Sequence, residues 1–239
     1  MKTIGLIGGM SWESSAEYYR LINLLVRERL GGHANARSLM LTVNFAEIEA
    51  LQREQNWASM AAKMQTAARN LEAGGADCIV LSTNTMHKVA DETQAAVSVP
   101  LLHIADATAK SVKALGMSTV GLLGTRFTME DSFYHRHMQV KHALAIKTPG
   151  SGEREFTHRA IYEELCQGLL RETTRARFRA IMQELAQEGA EGIILGCTEL
   201  GLLLKQEDAP VPLFDSTRLH ALAAVDFAMS NCKERGLSQ

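Results

Sequence analysis

The sequence predicts an α/β fold made of two pseudosymmetric parallel-sheet domains, with an active site in the cleft between them. Three observations carry this. Strand-like apolar runs alternate with longer helical stretches along the chain, the order that lays helices on the faces of a parallel sheet. The second half also repeats the first. Ile4-Gly-Leu-Ile-Gly8 returns as Val120-Gly-Leu-Leu-Gly124, Gly75-Ala-Asp-Cys-Ile-Val-Leu-Ser-Thr83 as Gly189-Ala-Glu-Gly-Ile-Ile-Leu-Gly-Cys197, and Val99-Pro-Leu-Leu102 as Val211-Pro-Leu-Phe214. Any one echo is a chance likeness between apolar strands, but three in the same order at a nearly constant offset mark a duplication. Finally, 239 residues, 46% of them hydrophobic, are enough for two separate cores.

The elements follow in order. Thr3 to Ile7 reads as a strand ending at Gly8-Gly9, and Ser14 to Leu30 as a helix with Tyr18, Leu21, Ile22, Leu25 and Val26 on one face. Ser38 to Asn44 is a second strand, and Trp57 to Gly74 a helix stopped by Gly74-Gly75. Cys78 to Leu81 is a third strand, and Val99 to His103 a fourth. The polar stretch Lys147 to Glu155 reads as a loop within the second half. The domain boundaries read as residues 1–98 plus 212–239 for the first domain and 99–211 for the second.

Composition excludes several classes of function. A formal net charge of -2 creates no strong field, so neither nucleic acid nor an anionic membrane is an expected partner. No apolar run reaches the roughly 18 residues that span a bilayer. The opening MKTIGLIGG lacks a signal peptide's cleavage region, so a cytoplasmic protein is expected. The four cysteines, Cys78, Cys166, Cys197 and Cys232, form no CxxC pair and read as free thiols in a reducing compartment. Arg171, Arg175, Arg177 and Arg179 read as one solvated helix face. His135, His137 and His142 match no strong zinc spacing and read as a solvated helix. Gly5-x-x-Gly8-Gly9 is not a dinucleotide or P-loop fingerprint, and a tight turn accounts for it.

The duplication places Thr83 and Cys197 at equivalent positions, each at the carboxyl end of a buried strand, where sites in parallel sheets form. Two acid/base groups on opposite sides of a shared cleft suit inversion of a carbon centre, which removes a proton from one face and returns one to the other.

The stretches Gly5-Leu-Ile-Gly-Gly-Met10, Ser82-Thr-Asn-Thr-Met-His87, Gly124-Thr-Arg-Phe-Thr128 and Gly196-Cys-Thr-Glu199 resemble the signatures of the aspartate/glutamate racemase family over nearly the whole chain. The resemblance implies a homodimeric enzyme that racemises a small-molecule amino acid without pyridoxal phosphate, metal or any other cofactor. It implies Thr83 and Cys197 as the catalytic pair. Asn84, Thr85 and Thr198 are candidates for holding the substrate carboxylate, and the resemblance adds Ser82, Met10 and Gln52 from the first half and Thr125 and Thr128 from the second. His87 reads either as support behind the site or as a histidine bonded locally at a helix start.

The chain departs from the family pattern in two places. The family carries cysteine at both catalytic positions, whereas Thr83 holds the first. A thiol ionises near pKa 8.5, lower beside a helix N-terminus, whereas an alkyl hydroxyl lies near that of water, about 15. Thr83 therefore donates or relays a proton but holds no standing charge. By resemblance, Cys197 takes the proton of an L-amino acid, and an L preference follows. The second departure is that Asn44-Phe-Ala-Glu-Ile48 and Tyr162-Glu-Glu164 lack the cations expected of aspartate-specific relatives, with Arg53 or Lys88 as substitutes. Three other readings stay open. They are a broad-specificity amino-acid racemase, a related decarboxylase or isomerase of small carboxylic acids, and a non-catalytic carboxylate-binding protein.

Overall fold

A computed structural model of the chain describes residues 1–230. Cys232 lies outside the described residues. The first sheet contains β1 (Ile4–Gly8), β2 (Ser38–Thr42), β3 (Cys78–Leu81) and β4 (Leu101–Leu102), in the order β2-β1-β3-β4. The second contains β5 (Thr119–Gly124), β6 (Ala145–Lys147), β7 (Ile193–Gly196) and β8 (Leu213–Asp215), in the order β6-β5-β7-β8. All their pairings are parallel. The two orders match strand for strand, so the repeat read in the sequence is a repeat of fold.

The chain divides into two compact units. One is Met1–His103 with the segment from His220 onward, and the other is Ile104–Leu219. These divisions fall several residues beyond the boundaries expected at 98/99 and 211/212. Each Val-Pro strand closes the sheet before it and does not open the next, since β4 pairs with β3 and β8 with β7.

Each sheet is covered on both faces, which is why its central strands are apolar throughout. In β1, Ile4 and Leu6 face the helices Trp12–Leu30 and Ser216–Met229, through Tyr18, Leu21, Ile22, Ala221, Ala224 and Val225. Ile7 turns the other way, onto Met60, Met64 and Leu71 of the helix Trp57–Ala73. The same alternation holds in the second unit. Val120 and Leu122 share a core with Tyr134 and Met138, while Leu123 packs with Phe178, Ile181 and Met182. Among the described residues, no helix is long and apolar enough to cross a membrane.

Helix starts are set by local capping. Ser11, Asn44 and Asn56 accept the backbone N–H groups of Ser14, Ala46 and Ser59 at 3.1–3.2 Å. Gly9 makes the turn after β1 at φ 90°, where an added Cβ would lie 2.1 Å from the Val43 carbonyl. The geometry of the turn by itself requires glycine at this position.

Three local expectations need correction. Lys147 to Glu155 is not one loop. β6 ends at Lys147 and a helix runs Ser151–Arg159, because the turn signal is confined to Thr148-Pro149-Gly150 and the following Glu and Arg residues propagate a helix. The arginine cluster is not one solvated face. Arg175 and Arg179 hold the buried carboxylate of Asp208, while Arg177 pairs with Glu153. His137 and His142 are not simply solvated, since both Nε2 atoms bond Asp106 Oδ1, at 2.5 and 2.6 Å.

Candidate active site

In the first unit, the predicted site residues gather at the carboxyl ends of three adjacent strands. Met10 follows β1 and packs with Ile7 and Leu81. Gln52 comes from the helix Phe45–Arg53 after β2. Ser82, Thr83, Asn84 and Thr85 leave β3 and enter a 3-10 helix at Thr85–Val89. Thr83 is half-buried, and its backbone is tied on both sides: its N–H donates to the Leu81 carbonyl at 2.8 Å, and its own carbonyl accepts from His87 Nδ1 at 2.8 Å. Asn84 and Thr85 are buried and hydrogen-bonded. Ser82 Oγ, on a residue 0% exposed, and Gln52 Oε1, on a residue 5% exposed, are among the buried side-chain oxygens with no hydrogen-bond partner in the described residues. Native structures rarely leave buried polar atoms unbonded, so each of these oxygens calls for a partner such as an ordered water or a ligand.

In the second unit, Cys197 follows β7 and is half-buried. Its Sγ donates to Glu199 Oε2 at 2.8 Å, and Glu199 is 4% exposed. The thiol pKa is raised well above its ordinary value. Burial is the main cause, followed by the Glu199 charge, the neighbouring Cys166 and the S–H···O bond. The helix that follows is one turn, Leu200–Leu203. With so short a helix after it, burial and the Glu199 carboxylate dominate the surroundings of Cys197, and both work against ionisation of its thiol. Beside it, Thr198 Oγ1 accepts from Thr217 Oγ1 at 3.2 Å. Thr125 and Thr128 follow β5, with their hydroxyl oxygens 3.2 Å apart.

Glu199 is the residue the sequence reading passed over. Its signal was present, a carboxylate two residues beyond the strand-end cysteine, where a turn brings both side chains to one side. The proposed substitute cations are placed less favourably. Arg53 is exposed, and Lys88 Nζ sits 3.8 Å over the Trp57 ring. Cys78 is buried, and burial pushes its thiol up to about 12. Cys166 packs against the same core as Cys197.

Two parallel-sheet units with the same strand order make up a duplicated α/β fold, the fold of Asp/Glu racemases of known structure. The chain belongs to the Asp/Glu/hydantoin racemase family, whose model matches residues 7–224. It is 50% identical to a candidate Asp/Glu racemase from Yersinia pestis of known structure, with a TM-score of 0.91 over 96% of this chain and 100% of that one. It is 36% identical to an aspartate racemase homologue from Pyrococcus horikoshii, with a TM-score of 0.84 over 95% of this chain and 99% of that one. A broad-specificity amino-acid racemase, RacX of Bacillus subtilis, is 29% identical over 66% of this chain and 67% of its own length.

Proposed function

We propose that the chain is a racemase of acidic amino acids that needs no cofactor, with Cys197 as the base for the L-enantiomer and Thr83 as the acid on the opposite face of the same α-carbon. The observation that carries this is the part-buried Cys197–Glu199 contact of 2.8 Å, at the strand end equivalent to the one that holds Thr83. A thiol that is hard to ionise is a strong base once ionised, and the carboxylate beside it is an acceptor for its proton.

The steps balance as follows. Glu199 takes the Cys197 proton. The thiolate then removes the α-proton of the L-amino acid, and the electron pair moves into the substrate carboxylate. Thr198, Thr125 and Thr128 hydroxyls and the amide of Asn84 are the donors proposed to hold that carboxylate. Thr83 delivers its hydroxyl proton to the opposite face, giving the D-form. Water carries the Glu199 proton to the Thr83 alkoxide, and the Cys197 proton returns to Glu199. Removing the α-proton of the D-form needs a standing Thr83 alkoxide, so solvent exchange into unreacted D-substrate is slower than into unreacted L-substrate. The kcat/KM for net inversion is the same from either enantiomer, because the equilibrium constant of a racemisation is unity. Gln52 Oε1 and Ser82 Oγ, both acceptors, match the donors of an α-ammonium group. We place the enzyme in the cytoplasm as a homodimer, as the resemblance implies.

A second reading, broad specificity, is favoured by the absence of a cation in the stretches Asn44–Ile48 and Tyr162–Glu164 and by the likeness to RacX. Proton NMR in deuterated water tests both, using separate L- and D-forms of aspartate, glutamate, alanine and lysine. Exchange and inversion confined to aspartate and glutamate support the first reading, and comparable exchange of alanine or lysine supports the second. Loss of carbon dioxide would point to a decarboxylase, and binding without exchange to a carboxylate-binding protein.

A further inference from the structure

The two strand ends are equivalent, but what stands behind them is not. Four residues beyond Cys197 is Gly201, and four beyond Thr83 is His87. In the second unit, the space beside Gly201 is occupied by Asp215, whose Oδ2 would lie 2.7 Å from an added Cβ. In the first unit, the residue matching Asp215 is His103. Its ring stands edge-on to the His87 ring, with centroids 4.6 Å apart. A third imidazole, His220, lies 5.5 Å from His87. A glycine and a carboxylate in one half are thus replaced by packed imidazoles in the other.

Hydrogen bonds fix this group. His220 donates from Nε2 to the Leu102 carbonyl at 2.6 Å, and its Nδ1 accepts from the Tyr18 hydroxyl at 2.9 Å. That sets a neutral tautomer. His87 is buried, and its Nδ1 partner is the Thr83 carbonyl, so Nδ1 is the donor. Since the Thr83 N–H is already bound to Leu81, this bond ties the second of the two peptide groups flanking the Thr83 side chain. The direction of its Cα–Cβ bond is then fixed.

We propose that His87 is a positioning residue for Thr83, holding the hydroxyl where it protonates the α-carbon. The proposal rests on the reading of Thr83 as the acid. The need is one-sided for a chemical reason. A hydroxyl is a far weaker acid than a thiol and transfers its proton only from a short, aligned geometry. Cys197 has a larger, softer atom and a carboxylate hydrogen-bonded to it.

The test separates removal of the α-proton from inversion. With L-aspartate or L-glutamate in deuterated water, solvent deuterium entering unreacted L-substrate reports the Cys197 side, and D-product reports delivery by Thr83. His87→Leu is expected to lower the D-product rate roughly 10- to 100-fold while deuterium entry into L-substrate changes by less than about 3-fold. His87→Asn keeps a donor where Nδ1 stood and is expected to restore the wild-type ratio. An unchanged ratio in His87→Leu, or a ratio in His87→Asn as low as in His87→Leu, overturns the positioning role and leaves the racemase reading standing. A wild-type protein that exchanges nothing overturns the racemase reading and the positioning role with it. If His87→Leu does not melt cooperatively, nitrogen-15 NMR of the wild-type imidazoles decides. A protonated Nδ1 on His87 at neutral pH is expected, and an Nε2–H tautomer overturns the proposal.

Discussion

Cys197 and Glu199 form a pair whose members have opposite effects on reactivity. Replacing Glu199 by Gln removes the carboxylate charge and its hydrogen bond, so the thiol pKa falls while burial still holds it up. In a Cys166→Ser background, alkylation of Cys197 by iodoacetamide should therefore speed up at fixed pH, while turnover of L-substrate falls about 100-fold for want of a proton acceptor. Alkylation and turnover falling together would show that Glu199 serves only to pack the strand end. Ser82 gives a second prediction. Its buried, unbonded hydroxyl costs stability, so Ser82→Ala should leave the melting temperature unchanged or stabilise the fold by about 1 kcal/mol, and raise KM. The equivalent strand-end placement of Thr83 and Cys197 was legible in the sequence because the repeat aligned them. Glu199 and His87 were visible as letters, but their partners were not. A thiol–carboxylate contact and an imidazole bonded to a carbonyl depend on how the chain turns after a strand, and no hydrophobic pattern encodes that turn.

Among the connecting segments, the turn after β1 is the most constrained. At Gly9, a methyl group would meet the Val43 carbonyl at 2.1 Å in addition to the unfavourable φ of 90°. Gly75 has a similar φ of 92° but open space around it. Gly75→Ala should cost about 1 kcal/mol, the price of the backbone conformation alone. Gly9→Ala should cost at least twice that and displace Met10, which thermal melts and KM would register together. Equal costs would show that the turn relaxes freely. Strands and long helices were legible here because apolar spacing reports which side is covered. The helix Ser151–Arg159 was not, since it carries one buried residue, Thr157, and offers no apolar stripe to read. The strand Leu101–Leu102 was shorter than expected for a related reason: Pro100 lacks the N–H that would extend its pairing.

Across the chain as a whole, one buried histidine ties distant segments and makes stability depend on pH. Burial lowers the His220 pKa to about 4, against an ordinary value near 6.5. Between those values the unfolded chain binds a proton that the folded chain refuses. Stability from this group is therefore full above about pH 6.5, declines as pH falls toward 4, and is lost by about 3 kcal/mol at most. Urea melts between pH 7 and 4.5 should show that slope, and His220→Gln should flatten it. A slope that survives the substitution would assign it to other groups. The same helix has a consequence for synthesis. The first unit is interrupted in sequence and the second is not, since Ala221, Ala224, Val225 and Ala228 cover Ile4, Leu6 and Val80 across almost the full length of the chain. On the ribosome, the unit begun first is thus the unit finished last. Its earliest strand waits, with one side partly bare, while the later-made unit has every residue it needs.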